Sequence, residues 1–202
     1  MLVEVTEKDG FVIGLEYAKR GYQHAISKCL VQEEVLKRLK KASKYLPDNL
    51  TFKIYDAYRP FSLQEELYYA YKKELIKEFH LEDLEKDKQD KIINQYVALP
   101  NKKKVPAHLT GGAVDVTLVY KDSHEELDMG CSFDDFSTKT NTNAFDKKGM
   151  DKDIRDNRHM LLNAMEKAGF TNLDSEYWHY DYGNNNWASK TGNEAIYKNI
   201  VE

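Results

Sequence analysis

Cysteine is scarce in this 202-residue chain, and the two that occur are badly placed for cysteine chemistry. Cys29 and Cys131 lie far apart and match neither a CxxC nor a zinc-knuckle spacing, so a reducing compartment is the simpler expectation. Long apolar runs are missing as well, which argues against a membrane span. The first 22 residues carry acidic side chains and no uninterrupted apolar stretch, unlike a secretory signal. A basic surplus is also absent. Thirty Lys and Arg stand against 34 Asp and Glu, a formal net charge of -4, which leaves no electrostatic footprint for nucleic acid. The short lysine run at 101–104 reads as a solvated loop, with a phosphate patch as the alternative. There is no internal repeat, linker or low-complexity tract. The expectation is a cytoplasmic protein with neither nucleic-acid nor membrane partners; its oligomeric state leaves no signature.

What is present is a globular composition, 41% hydrophobic and 32% charged. The length suffices for one well-buried core and is short for two, so a single domain over 1–202 is expected. Short β-prone runs at 11–13 and 15–22 read as strands or extended loops. From Lys28 to Tyr45 apolar residues recur at Val31, Val35, Leu36, Leu39 and Ala42, the spacing of a helix with one face toward a core. Leu50 to Tyr55 alternates as a half-buried strand does. Asp56-Ala57-Tyr58-Arg59-Pro60 comes next, and Pro60 presents Arg59 at the strand end. Ser62 and Glu65 form a capping-box pattern for a helix that buries Leu63, Leu67, Ala70, Tyr71 and Leu75. Residues 78–97 read as one or two surface helices, and 137–149 as an irregular loop of the kind that lines or covers a site. A further helix is predicted from Lys152 to Ala168, stopped by Gly169. The tail from Asn184 carries a short terminal helix.

The most unusual stretch is PAHLTGGAVDVTL, Pro106 to Leu118. Gly111-Gly112 supplies freedom at a tight bend, and Ala113 to Val119 reads as a strand leaving it. Such a return can bring His108 and Asp115 to one point, as a metal with nitrogen and oxygen ligands requires; the same residues also suit a loop histidine and a strand-edge carboxylate. Near the other end, Glu176 and His179 form an E-x-x-H unit in an aromatic strand. Three-residue spacing puts them on opposite faces of a regular strand, so a turn or bulge is needed for both to reach one centre. A buried histidine in an aromatic cluster is the alternative. Two histidines and a carboxylate make a catalytic zinc set with one position left for water. A carboxylate outside the ligand set would serve as general base, and Glu176 is the candidate. Arg59 could stabilise an oxyanion, although local sequence favours a salt bridge to Asp56. An acid such as Asp134 could pair with a substrate ammonium.

YDAYRP at 55–60, HLTGGAVDVTL at 108–118, DMGCSFDDF at 128–136 and EYWHY at 176–180 together resemble the signature segments of the D-alanyl-D-alanine dipeptidases of the VanX type, in order and at similar intervals. These are zinc peptidases related to D,D-carboxypeptidases and the hedgehog-like fold. The resemblance implies an α+β fold with helices on a central, mainly antiparallel sheet. It implies one Zn2+ per chain on His108, Asp115 and His179, Glu176 as base, Arg59 as transition-state stabiliser, and Asp134 as binder of the amino terminus of a small D,D-dipeptide. The family's S-x-H-x-x-G has serine where this chain has Pro106, which bears on substrate more than on metal. Residues 109–110 and Tyr177 depart from the pattern more mildly. The alternatives are a peptidoglycan-stem D,D- or L,D-carboxypeptidase or endolysin, and a metal-binding relative without catalysis.

Overall fold

The computed structural model describes residues 1–94, 96, 100 and 105–197. Its strands, in chain order, are β1 (Leu2–Val5), β2 (Val12–Ile13), β3 (Cys29–Gln32), β4 (Leu50–Asp56), β5 (Ala113–Tyr120), β6 (Thr171–Leu173) and β7 (Glu176–Asp181). The helices are α1 (Glu16–Lys19), α2 (Glu33–Ala42), α3 (Phe61–Glu78), α4 (Lys86–Ile93), α5 (Lys152–Ala168) and α6 (Asn185–Thr191). Five strands form one sheet in the order β2-β4-β5-β7-β6; β2 runs parallel to β4 and every other pairing is antiparallel. β1 and β3 make a separate antiparallel pair. This is the expected α+β architecture with a mainly antiparallel sheet.

Cross-strand partners Phe52–Leu118 and Ile54–Val116 share one face of the sheet and are fully buried. Val35 and Leu39 of α2 and Leu161 and Met165 of α5 belong to the same apolar cluster. Truncating one of these side chains to alanine costs about 2–5 kcal/mol. β4 is buried along nearly its whole length, not half-buried as its alternation predicts, because the strand lies inside the sheet between β2 and β5.

Several elements differ from the sequence expectation. Cys29–Gln32 is a strand, and the helix begins only at Glu33. Pairing with β1 overrides the helical spacing to which Val31 would belong. Part of the 15–22 run is helical, as the single turn α1. Ser62 caps nothing: α3 starts directly after Pro60 and has no side-chain cap. Four of the five residues expected to be buried on α3 are so; Ala70 is only partly covered, while Gln64 and Tyr68 join the buried face. α5 has the predicted bounds, with Asp151 capping its start and Gly169 ending it at φ 98°. The lysine run at 101–104 lies outside the described residues. Among the described residues, no helix is long and apolar enough to cross a membrane.

The sheet is irregular in two places. Between Ile54 and Asp56 the register of β4 against β5 slips, so that Asp56, one residue later than regular pairing allows, stands opposite Asp115. On the far side β6 and β7 slip between Asn172 and Leu173: Asn172 faces Tyr180 while Leu173 faces Glu176. Bulges of this kind re-aim side chains and are common beside active sites.

Candidate metal centre

Asp56, Asp115 and His179 stand in one row across β4, β5 and β7, as successive cross-strand partners. Residues directly opposite in an antiparallel pair point to the same face, so sheet register alone places these three together. His108 joins them from the turn before β5. Residues 108–110 form a single 3-10 turn that Gly111 closes at φ 66°. Gly112 has no room for a side chain, since a Cβ there would sit 2.6 Å from the Tyr182 carbonyl. The first glycine supplies the backbone freedom that the sequence suggests, and the second permits a close approach of the backbone.

The three donor atoms form a nearly equilateral triangle. His108 Nε2 lies 3.1 Å from His179 Nδ1 and 3.3 Å from Asp115 Oδ1, and His179 Nδ1 is 3.0 Å from the same carboxylate oxygen. Tetrahedral zinc with bonds of about 2.0–2.1 Å requires donor separations of about 3.3 Å. The residues therefore fit such an ion, and all three are buried.

The groups behind them orient the rings. His108 Nδ1 donates to the Ala57 carbonyl at 2.7 Å, which leaves the Nε2 lone pair facing the triangle. The carboxylate of Asp56 lies 3.4 Å from the same Nδ1. His179 Nε2 sits 3.1 Å from Asp181 Oδ1, off the line of a good hydrogen bond, and Asp181 is itself held by Asn184 and Asn186. Burial disfavours the His179 imidazolium, but Asp181 and Asp115 outweigh it and raise its pKa well above the ordinary value. Burial pushes the Asp115 carboxyl up, yet His108 and His179 hold it well below the usual carboxylate range.

Glu176 lies within electrostatic reach of this cluster. Burial raises its carboxyl above the ordinary value and Asp115 and Asp134 add to the rise, against the opposing effect of His179. The bulge at β7 breaks the regular alternation that would send Glu176 and His179 to opposite faces. It is fastened by Asn172, whose side-chain Nδ2 donates to the carbonyls of Glu176 and His179 at 3.0 Å each, and more weakly to that of Tyr177 at 3.5 Å.

Arg59 makes the local salt bridge the sequence favours, Nε to Asp56 Oδ2 at 2.8 Å, and also faces the cluster, with Nη2 3.6 Å from Asp115 Oδ2. The salt-bridge reading is realised, and the guanidinium also lies beside the donor triangle. Its remaining donors reach Gln64 and the hydroxyl of Tyr17. Tyr17 in turn donates to Asp134 at 3.2 Å, so a hydrogen-bonded chain runs from Asp56 through Arg59 and Tyr17 to Asp134. Asp134 adopts the left-handed conformation at φ 61° and also accepts from Tyr71 and Arg20. Burial raises its pKa, opposed by Tyr71, Arg20 and Arg59. The loop carrying it is pinned from behind by Arg158, fully buried, which donates to the carbonyls of Met129, Lys139 and Asn141. The 137–149 loop is thus tied to α5 through this arginine.

Of the residues singled out in the sequence, His108, Asp115 and His179 converge, and Arg59 lies beside them, with Asp134 linked to Arg59 through Tyr17 and Glu176 within electrostatic reach. Sequence reasoning missed Tyr17, Arg20, Tyr71, Asn172, Arg158 and Asp181. Only Asp181 had a local signal: two residues after His179 on a strand, it must share that histidine's face.

Comparison with known proteins shows the family of the chain. The family model Peptidase_M15, described as D-ala-D-ala dipeptidase, matches residues 11–197. A D-alanyl-D-alanine dipeptidase of Synechocystis is 29% identical over 87% of this chain and 76% of its own length. One of Enterococcus faecalis is 32% identical over 63% of this chain, which spans 59% of that relative. Among solved structures, a mutant of the vancomycin resistance D,D-pentapeptidase VanY in complex with Zn(II) is similar with a TM-score of 0.49 at 15% identity, covering 84% of this chain and 83% of that one.

Proposed function

Since the chain belongs to the D-Ala-D-Ala dipeptidase family of M15 peptidases, we propose that it hydrolyses free D-Ala-D-Ala or a close D,D-dipeptide with one Zn2+ held by His108, Asp115 and His179. The observation that carries the reading is the donor triangle with 3.0–3.3 Å edges, with the guanidinium of Arg59 beside it and Glu176 within electrostatic reach. When bound, zinc polarises the scissile carbonyl and makes water acidic enough to attack at neutral pH.

The chain's own residues supply the rest. Glu176 takes a proton from the attacking water and returns it to the amine nitrogen as the peptide bond breaks. Its raised pKa brings base and acid forms closer to the working pH, where proton transfer in both directions is efficient. Arg59 pairs with the oxyanion that develops on the attacked carbonyl, and Asp56 holds it in position. Asp134 pairs with the free amino terminus, and Tyr17 links the two charged groups. The donors come from β5 with the turn that precedes it and from β7, far apart in the chain, which supports reading 1–202 as one catalytic domain. The free thiols of Cys29 and Cys131 support a cytoplasmic location.

The test is release of D-alanine from free D-Ala-D-Ala by purified protein, with and without a chelator. Chelator-sensitive release is expected, and its absence would remove the assignment. A larger-substrate peptidase is the second reading, and one observation favours it: the Asp134 carboxylate already carries an ion pair to Arg20. Faster cleavage of an N-acetylated dipeptide than of the free one would decide for that alternative.

A further inference from the structure

Resting on the reading of Asp134 as the ammonium site, we propose that Arg20 is a specificity-determining residue: an internal cation that fills the ammonium subsite of the free enzyme and is exchanged for the amino terminus of the substrate. Among the described residues, three side chains donate to the Asp134 carboxylate. Tyr17 reaches Oδ1 at 3.2 Å, while Tyr71 and Arg20 share Oδ2 at 2.7 and 2.9 Å. Both tyrosines are buried neutral phenols, fixed in the core. Arg20 differs from them in charge and in access. It is the cationic partner, and its side chain is 37% exposed where that of Asp134 is 14% exposed, so it closes the subsite from the solvent side.

Its other tethers are weak. Nη2 reaches the Phe133 carbonyl at 3.4 Å, and the guanidinium lies 5.5 Å from the Phe133 ring and 6.0 Å from that of Tyr17. Arg20 sits at the C-terminal cap of the one-turn helix α1 on a long flexible stem, and it can swing into water without unfolding anything. An arriving ammonium replaces one cation on Asp134 by another, so the carboxylate is never left bare. A blocked amino terminus brings no cation and cannot make that exchange. Arg20 therefore lowers affinity for every dipeptide it must yield to, and ties binding at this subsite to a positively charged group.

The test compares the zinc-loaded wild type with Arg20→Met, which keeps the stem, and Arg20→Lys, which keeps the charge. Titration calorimetry with free D-Ala-D-Ala and with its N-acetylated form measures binding in the inactive Glu176→Ala background, and kcat and KM are measured in the active one. Arg20→Met is expected to bind the free dipeptide about two- to fivefold more tightly, the worth of one partly exposed ion pair, with a matching fall in KM. The N-acetylated dipeptide is expected not to gain, and Arg20→Lys to remain within about twofold of wild type. Loss of a merely structural contact would weaken binding, so the sign of the change separates the two roles. Unchanged or weaker binding of the free dipeptide by Arg20→Met overturns the proposal. Tighter binding without turnover in wild type upholds Arg20 as competitor and overturns only the dipeptidase reading. No binding by any form overturns both.

Discussion

Replacing Asn172 by alanine tests whether the β7 bulge is what brings Glu176 to the metal site. The Asn172 side chain donates to the Glu176 and His179 carbonyls at 3.0 Å each, and its Oδ1 accepts from Thr142 at 2.5 Å. Asn172 is only 6% exposed, so water does not replace those bonds freely. A buried carbonyl and a partly buried one left without their donor, at up to about 1–2 kcal/mol each, put the loss of stability at up to about 2–4 kcal/mol. For a chain of this size that is a fall in Tm of about 5–15 °C. Without the clamp β7 tends toward regular alternation, which turns Glu176 to the face opposite His179. Displacing a catalytic group by even about 1 Å can cost about 100-fold, so kcat for D-Ala-D-Ala is expected to fall by at least that factor. His179 is still held opposite Asp115 by β5, so zinc content stays near one ion per chain. Thermal unfolding, metal analysis and steady-state kinetics on one preparation provide the three numbers. Asn172→Asp is the sharper companion. It keeps the acceptor facing Thr142 but turns an oxygen toward three carbonyls, and is expected to be worse than alanine. If Asn172→Ala melts within about 2 °C of wild type and retains a third or more of its kcat, the bulge does not depend on this residue and Asn172 is no clamp.

Glu176→Gln is expected to lower kcat by about 100- to 10,000-fold while the protein still binds zinc stoichiometrically; equal turnover would remove Glu176 from the proton path. Asp181→Asn weakens the partner of His179 Nε2 and is expected to reduce zinc affinity about 10- to 100-fold, read by competition with a chromogenic chelator. The raised pKa of His179 gives a pH signature in the metal-free protein. A group with a raised folded pKa contributes stability that is complete below its unfolded value, about 6.5, and is lost as pH rises through the folded value. Zinc requires the neutral ring and displaces that proton, so zinc-loaded protein gains stability with pH over the same range. Melting curves of the two forms from about pH 6 to about pH 9 should therefore diverge; parallel curves would contradict the assignment of His179 as the protonated group.

The parts of the fold legible in the sequence are those stabilised by their own pattern. α5 shows its cap, its buried stripe and its glycine stop within its own residues, and β4 and β5 show their β-prone runs. Cys29–Gln32 was not legible because its strand character comes from β1, a segment whose pairing no local periodicity records. The candidate metal site divides in the same way. His108 and Asp115 could be read as a pair because the double glycine between them prescribes a backbone reversal, and the reversal is what makes them neighbours. Glu176 and His179 posed a contradiction, since a regular strand sends them to opposite faces. The contradiction was itself informative: either the two do not act together, or the strand is irregular at that point. The structure has the irregularity at β7, and its fastening comes from Asn172 on the neighbouring strand. Nothing around Asn172 in sequence marks it, because its role exists only once β6 lies beside β7. The same holds for Tyr17 and Arg20, which reach Asp134 across 117 and 114 positions of chain. The atoms that perform chemistry carry a motif because their type is constrained; the groups that aim them are constrained by position in space, and position is supplied by the fold.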